Sequence, residues 1–346
     1  MNYFPKAIVT VIILFTVSSL TAQQIEILTS GPKTSIRGLS VVSDDIIWVS
    51  GSGGKVGKSI NAGKTWEWMT VPGFEQREFR DIEAFDANTA VVLAIAEPGQ
   101  IIKTTDGGKN WKTVFTDTAK GMFLDAMDFA DENNGVVIGD PLPGTNTIYR
   151  AYTRNGGTGW FHPQEDKNYL TPVKEGEAMF ASSGTNVVFL KSEGFLRSNK
   201  MFIVTGGTAA NFLSQNPMQK IPLALIQGKE STGANSIAVF NGRDIVIVGG
   251  DFANDKDTTQ NCVFSKDGGT LFFRPTTPPH GYRSCVEYIS KTKLITCGTS
   301  GIDISEDAGM NWKQISTESF HVCQKAKKGK SVYLAGGNGR VAKLIW

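Results

Sequence analysis

Several things are scarce in this chain of 346 residues, and each shortage removes a class of function. Cysteine and histidine occur only 4 and 3 times. Cys262, Cys285, Cys297 and Cys323 contain no closely spaced pair, which excludes the usual zinc and dithiol redox motifs. No metal site is expected elsewhere: the run from Asp251 to Asp257 offers oxygen ligands but lacks the spacing and closing Glu of a calcium loop. Charge of one sign is lacking too, with 35 Lys and Arg against 33 acids and a formal net charge of +2. The basic residues are scattered rather than striped, so no nucleic-acid partner is implied. No Gly-x-Gly-x-x-Gly opens a helix after a strand, and Gly206-Gly207 and Gly249-Gly250 end strands instead. No dinucleotide is therefore expected, and no motif calls for another cofactor. There is no long amphipathic helix pattern, and after the first residues no apolar run long enough to cross a bilayer.

What is present is 40% hydrophobic residues, enough for a sizeable core. Residues 1–22 differ from the rest: Lys6 precedes an apolar run from Ala7 to Val17, followed by small residues up to Ala22. This reads as a cleaved secretory signal, leaving a single domain over 23–346 that is periplasmic or secreted and has no stable membrane insertion after cleavage. Export permits disulfides, and Cys285 has two candidate partners, Cys297 across a hairpin and Cys323 in the next segment. Buried free thiols are the competing reading.

One peptide recurs in variants. It runs from Thr104 through Asp106, Gly107 and Gly108 to Trp111, with copies ending at Trp66, Trp160, Phe272 and Trp312, spaced roughly 40 to 60 residues apart except for a double interval between Trp160 and Phe272. Each copy reads as a turn between strands. The Asn or Asp side chain caps backbone N–H groups, the Gly takes positive φ, and the aromatic ring wedges against the sheet. The pattern resembles the Asp-box, or BNR, repeat of sialidases and related propellers. Asn61, Asp106, Asn155, Asp267 and Asp307 are accordingly assigned structural roles.

Aligned on this repeat, the chain divides into seven segments. Their first strands start near Arg37, Arg80, Leu124, Glu177, Asn235, Arg283 and His321. Their second strands are the apolar runs 46–49, 91–93, 136–138, 187–190, 245–248, 294–297 and 332–334. The last segment ends one strand short, while 25–28 form a strand with no segment of its own. Pairing the two predicts an all-β, seven-bladed β-propeller closed by its N-terminal strand. Six blades plus an insertion is the alternative, because the fourth segment has only a loose version of the turn.

First strands line the channel of a propeller, and Arg37, Arg80 and Arg283 fall at one register in three segments. The spacing predicts that they converge on one mouth. Turns on the same face carry Glu97, Asp140, Glu193 and Asp251, while Glu177, Asn235 and His321 complete the ring. Guanidinium groups in a concave site suit carboxylate, sulfate or phosphate, and with flanking acids they suit an anionic or zwitterionic partner. Mutual pairing of these charges around a wet channel is the competing, purely structural reading.

The stretches 80–86, 123–129, 139–141, 248–251 and 281–284 resemble the bacterial exported propellers named after the photosystem II stability and assembly factor. The likeness extends over nearly the whole of 23–346. It implies a non-catalytic binding or assembly module with a protein partner or an anionic small molecule or glycan. The alternative is a sialidase-like glycoside hydrolase acting on acidic sugars, with the arginines clamping a carboxylate and two of the acids cleaving the bond. Against it, the Phe-Arg-Ile-Pro motif of sialidases is replaced by Ser35-Ile36-Arg37-Gly38, and sialidase propellers have six blades. The ring of polar residues at the channel mouth also leaves a quinone-dependent propeller dehydrogenase open.

Overall fold

The computed structural model describes residues 23–162, 172–191, 199–215 and 218–346. Residues 1–22, read above as a signal, and Glu193 lie outside the described residues. Seven antiparallel sheets follow one another along the chain. Blade 1 consists of Ile36–Val41, Ile47–Gly51, Lys55–Ser59 and Glu67–Thr70. Blade 2 consists of Phe79–Ala84, Ala90–Ala94, Gly99–Thr104 and Lys112–Asp117. Blade 3 has Leu124–Phe129, Gly135–Gly139 and Tyr149–Thr153, with Phe161 bridging Tyr152 where a fourth strand would run. Blade 4 is Val187–Leu190, Lys200–Val204, Asn211–Gln215 and Gln219–Pro222. Blade 5 has Thr232–Phe240, Asp244–Asp251 and Cys262–Ser265, and blade 6 has Cys285–Tyr288, Leu294–Gly298, Gly301–Ser305 and Lys313–Ser316. Blade 7 is Val322–Lys325, Val332–Ala335, Arg340–Ile345 and, from the other end of the chain, Gln24–Ser30. There is no α-helix among the described residues.

Period-two alternation explains why these runs assemble into a ring. Side chains of a strand point to opposite faces, and the second strands are apolar on both. In blade 2, Val91 and Leu93 pack with Leu124 and Val137 of blade 3, while Ala90, Val92 and Ala94 pack with Trp48 and Val56 of blade 1. The same division recurs at the other blade interfaces, and the largest cluster joins blades 6, 7 and 1. Each fully buried Val, Leu or Ile contributes roughly 1.5–3 kcal/mol, so the interfaces between blades carry most of the stability.

The recurrent turns join third to fourth strands, on the face away from the starts of the inner strands. In the second of them, Thr104 Oγ1 accepts from Gly108 N at 2.9 Å and donates to Asp106 Oδ1 at 3.0 Å. Asp106 Oδ1 accepts from Asn110 N at 2.9 Å, and Trp111 Nε1 donates to Gly108 O at 3.0 Å. Ser59 with Asn61, Thr153 with Asn155, Ser265 with Asp267 and Ser305 with Asp307 repeat the hydroxyl-to-acceptor link. Their caps are spent on their own turns. Lysines tie neighbouring blades at this level: Lys58 Nζ donates to Gly107 O at 2.8 Å and Lys103 Nζ to Gly156 O at 2.7 Å.

Two expectations about the fourth segment need correction. The run Val187–Leu190 is the innermost strand of blade 4 rather than its second, and its second strand is Lys200–Val204. Glu177 starts no blade: Glu177–Ala178 pairs with Gly206–Gly207, which extends the sheet of blade 5. A short apolar run fits either strand position, so hydrophobicity alone did not fix its rank in the sheet. Seven blades remain, and the N-terminal strand pairs from Gln24 with Ile345 to Ser30 with Arg340 as expected.

Deleting 24–30 exposes the edge of Arg340–Ile345 and strips Ile25 and Leu28 from the core of blades 6, 7 and 1. The truncated protein is expected to melt at lower temperature and to self-associate with concentration, as read by calorimetry and light scattering. A monomer of unchanged melting temperature would refute the closing role.

Candidate functional site

The channel mouth is built by one repeated irregularity. In four inner strands the ladder skips a residue: Arg37 between Ile36 and Gly38, Arg80 between Phe79 and Asp81, Asp125 between Leu124 and Ala126, and Asn235 between Ala234 and Ser236. A bulge frees the extra residue from the pleat and re-aims its side chain. Ser284 and His321 hold the corresponding place in blades 6 and 7, donating their N–H to Cys297 O and Ala335 O, both at 2.9 Å. The preceding residues cross to the neighbouring blade: Ile36 N to Gly336 O at 3.1 Å, Arg283 N to Gly249 O at 2.9 Å and Phe320 N to Gly298 O at 3.2 Å.

Arg283 is thus one residue out of register with Arg37 and Arg80, and that step turns it from the mouth into the wall. It takes the place that Ile36, Phe79, Leu124 and Phe320 fill elsewhere, with 0% of its surface exposed. Its Nε donates to Asp303 Oδ2 at 2.7 Å, its Nη1 to Tyr282 O at 2.8 Å and to Ser300 Oγ at 2.7 Å, and its Nη2 to His280 O at 3.0 Å. The expected convergence of three arginines is therefore a convergence of two.

Arg37, Arg80, Asp140, Asn235, Tyr282, Ser284 and His321 line one cavity of about 510 Å³, together with Phe123, Phe180, Phe252 and Thr299. Its floor is the segment 178–184, which crosses the channel. Arg37 Nη1 donates to Ser182 O at 3.1 Å and Arg80 Nη1 to Ala181 O at 3.3 Å. Met179 N donates to Asp140 Oδ1 at 3.0 Å, Ser182 Oγ to Asn235 Oδ1 at 3.1 Å, and Ser183 Oγ to Ser284 O at 2.7 Å. Gly184 is required where the segment passes blade 2. Its φ is +69°, and a Cβ there would lie 2.4 Å from the Asp81 carboxyl carbon. Below this floor is a second cavity of about 210 Å³, lined by Ser183, Gly184 and Thr185 and by the acids Asp81, Glu83, Asp128 and Glu287. The channel is a basic bowl and an acidic chamber, back to back.

In the bowl, burial and then the Arg80 charge lower the Arg37 guanidinium from its ordinary pKa, which leaves it a cation. Among the described residues no carboxylate lies at ion-pair distance from Arg37, and Arg80 Nε is 3.8 Å from the half-exposed Glu78. Burial pushes Asp140 up to about 6, opposed by the Met179 N–H. Asp125 is fully buried behind it. Neither of its oxygens meets a donor at full hydrogen-bonding geometry, and burial followed by the Asp140 charge pushes it far up, favouring the neutral acid. His321 is pushed down to about 4, first by burial and then by Arg37. Its Nδ1 lies 2.8 Å from Ile36 O, an acceptor, so Nδ1 carries the proton and Nε2 keeps its lone pair.

The other expected contacts lie elsewhere. Glu177 is sealed in the wall, where it accepts from Thr205, Asn211 and Lys220 at 2.7, 2.8 and 2.8 Å. Asp251 is buried and caps its own turn through Ala253 N at 2.9 Å, with Lys229 at 3.9 Å. Glu97 sits on the surface and accepts from Gly121 N at 2.9 Å. The four cysteines are buried free thiols, with Cys285 and Cys297 facing each other across a hairpin. Asp125, Phe180, Ser182, Phe252 and Tyr282 were not anticipated. The bulge that aims Asp125 leaves no mark in composition, and 178–184 reads as a strand rather than a floor.

The fold defines a seven-bladed propeller with a floored, basic bowl at one end. No protein-family model matches the chain, and no curated protein matches it significantly. Solved structures do. YCF48 bound to a D1 peptide superposes with a TM-score of 0.64 at 14% identity, over 95% of this chain and 98% of that one. YCF48 from Cyanidioschyzon merolae gives 0.61 at 16% identity, over 93% and 98%. The Niastella koreensis GH74 enzyme gives 0.55 at 13% identity, over 83% of this chain and 47% of that one. The chain shares the fold of these proteins, a propeller like the photosystem II assembly factor YCF48.

Two predictions separate wall from bowl. Arg283→Met strands the buried Asp303 carboxylate and is expected to cost about 3–5 kcal/mol in urea unfolding, whereas Arg37→Ala removes one guanidinium–carbonyl bond to the floor and is expected to cost only about 1.5 kcal/mol. Equal losses would refute the assignment. In the acidic chamber, burial pushes Asp128 up to about 7 and Glu287 up to about 8. The folded chain thus retains protons that the unfolded chain has released, so stability is greatest at the acid side and is lost as pH rises through these values. His321 acts in the opposite sense, but only below its ordinary 6.5. The melting temperature is therefore expected to fall between pH about 6.5 and about 8.5, with a shallower slope in Glu287→Gln.

Proposed function

We propose that this chain is an exported, non-catalytic propeller that holds a protein partner by an anionic group seated on Arg37 and Arg80. One observation carries the reading: two guanidinium groups from adjacent blades enter the same open cavity, each held there by a backbone carbonyl of the floor, while among the described residues Arg37 has no carboxylate at ion-pair distance and Arg80 has the half-exposed Glu78 at 3.8 Å. Such groups keep N–H donors free for an incoming acid, and Arg–carboxylate contacts are strong when two donors engage together. Neutral His321 adds an acceptor at the rim without competing charge. YCF48, which shares the fold over almost its whole length, is bound to a D1 peptide in one of the compared structures, which supports a protein partner here. The leader-like composition of 1–22 supports export to the periplasm or beyond, and the recurrent turns act as scaffold in this reading.

A glycoside hydrolase needs two carboxyl groups across the bond to be cleaved. Among the described residues Asp140 is the one carboxylate lining the bowl, and Asp125 stands shut behind it. That geometry favours holding over cleaving.

The test is calorimetric titration with acetylated acidic octapeptides and their Gln-substituted counterparts. Acidic peptides are expected to bind and the neutral ones not. Arg37→Ala and Arg80→Ala should each weaken binding roughly tenfold or more, and Arg80→Lys should restore little. Affinity should also decline as pH rises through about 6, where Asp140 ionises and adds a repelling charge. Identical binding by wild type and both alanine variants would sink the proposal.

A further inference from the structure

Opposite the arginines, the bowl has an aromatic wall with a geometry of its own. Phe252, from the turn after the second strand of blade 5, is 49% exposed. It meets Phe180 of the floor edge-to-face, with ring centroids 5.9 Å apart and planes at 88°. On its other side it meets Tyr282 at 6.2 Å and 76°. Tyr282 is buried and fixed in turn, its hydroxyl donating to Asn235 Oδ1 at 2.8 Å. The three rings form a ladder from the floor to the rim.

The ladder is held by polar groups placed to hold it. Asp251 sits immediately before Phe252. Its carboxylate accepts from Ala253 N at 2.9 Å and its carbonyl from Asn254 N at 3.1 Å, while Phe252 N reaches across to Ser231 O at 3.1 Å. The turn is therefore closed on both sides of the exposed ring. Asp251, expected from its spacing to meet a ligand, is instead the residue that presents Phe252 to one.

An exposed Phe beside two cations is a matched pair of features. The arginines of blades 1 and 2 take charge, and the rings on the blade 5 and 6 side take a flat or branched apolar group, across a cavity of about 510 Å³. Phe252, half exposed within this ladder, also leaves ring surface open for a fourth aromatic group. We infer that the occupant of the bowl is a peptide segment in which an aromatic side chain adjoins a carboxylate, the acid seated on Arg37 and Arg80 and the ring packed against Phe252. The inference rests on the reading of the bowl as an anion-holding site and adds its second determinant, the one that distinguishes among acidic partners.

Two acetylated, amidated hexapeptides of equal charge test it, one with Glu followed by Phe and one with Glu followed by Ser. Wild type is expected to prefer the Phe peptide about tenfold. Phe252→Ala should abolish that preference while leaving the Ser peptide unchanged, and Phe252→Leu should retain part of it. Arg37→Ala should weaken both peptides alike. Because Phe252 is half exposed, unchanged melting of its variants is expected and shows that packing elsewhere is intact. Equal binding of the two peptides to wild type, with both lost in Arg37→Ala, overturns the aromatic determinant and leaves the anion site standing. A preference that survives Phe252→Ala also overturns it. Binding of neither peptide overturns both readings together. 3-Phenylpropanoate binding as tightly as the Phe peptide overturns the assignment to a protein segment, since the small acid alone would then satisfy the site.

Discussion

Everything at the mouth depends on one hydrogen-bond register: the skipped pairing near the start of the inner strands. An uninterrupted antiparallel ladder would send alternate side chains into the two flanking blades and none squarely at the axis. The bulge releases a single residue from that alternation, and it recurs in blades 1, 2, 3 and 5. The flanking residues stay in the wall as Ile36, Phe79, Leu124 and Ala234, so the core is continuous up to the rim. The site is thus made without weakening the packing: one position in each of these strands is given to polar chemistry while the residue before it stays apolar and buried.

The floor gives the channel its polarity. Inner strands carry charge at both ends, and without a partition Asp81, Asp128 and Glu287 would share one water column with Arg37 and Arg80, screening them. The segment 178–184 separates the two sets and satisfies part of each. It gives carbonyls to the arginines at the top and an N–H to Asp140, and it passes Asp81 at Gly184, where no side chain fits. Hydrogen bonds to ionised groups are worth about 1.5–3 kcal/mol, so the floor and the arginines fix each other. An acid entering the bowl meets guanidinium groups already oriented, with less side-chain entropy left to lose.

Much of this could be read from the chain. Five copies of a turn, alternating apolar runs between them and an unpartnered strand at 25–28 gave seven blades and their closure, because repeats and period two are properties of sequence. Arg37 and Arg80 were found because they fall at one register near the start of the first strand in separate segments. Arg283 was misplaced by a single residue: its neighbours Tyr282 and Ser284 align as well as it does, and only the hydrogen bonds of Arg283 N and Ser284 N show which of them faces the axis. Glu177 was misplaced because the link into blade 4 runs through the channel, a path that composition does not record. Asp125 and Phe252 were missed for a related reason, since the side-chain directions that expose one and bury the other are set by a bulge and a capped turn.

The buried Arg283 raises the question of why a cation occupies a place that other blades fill with Ile, Phe or Leu. A buried ion pair gains little over an apolar residue of similar volume, because desolvating both charges offsets their attraction. Stability of the blade therefore does not account for it. The guanidinium does something an apolar side chain cannot. It joins Asp303 in the third strand and Ser300 in the turn before it to the carbonyls of His280 and Tyr282, in the segment arriving from blade 5. Asp303 also takes His280 Nδ1 at 2.6 Å. That segment carries Tyr282, whose ring supports Phe252. With an apolar residue in its place the strand would still pack, but the two carbonyls would lose their donors and the entry to blade 6 would be free to shift. The misassigned arginine thus serves the bowl from behind, by holding still the aromatic wall that faces the two arginines within it.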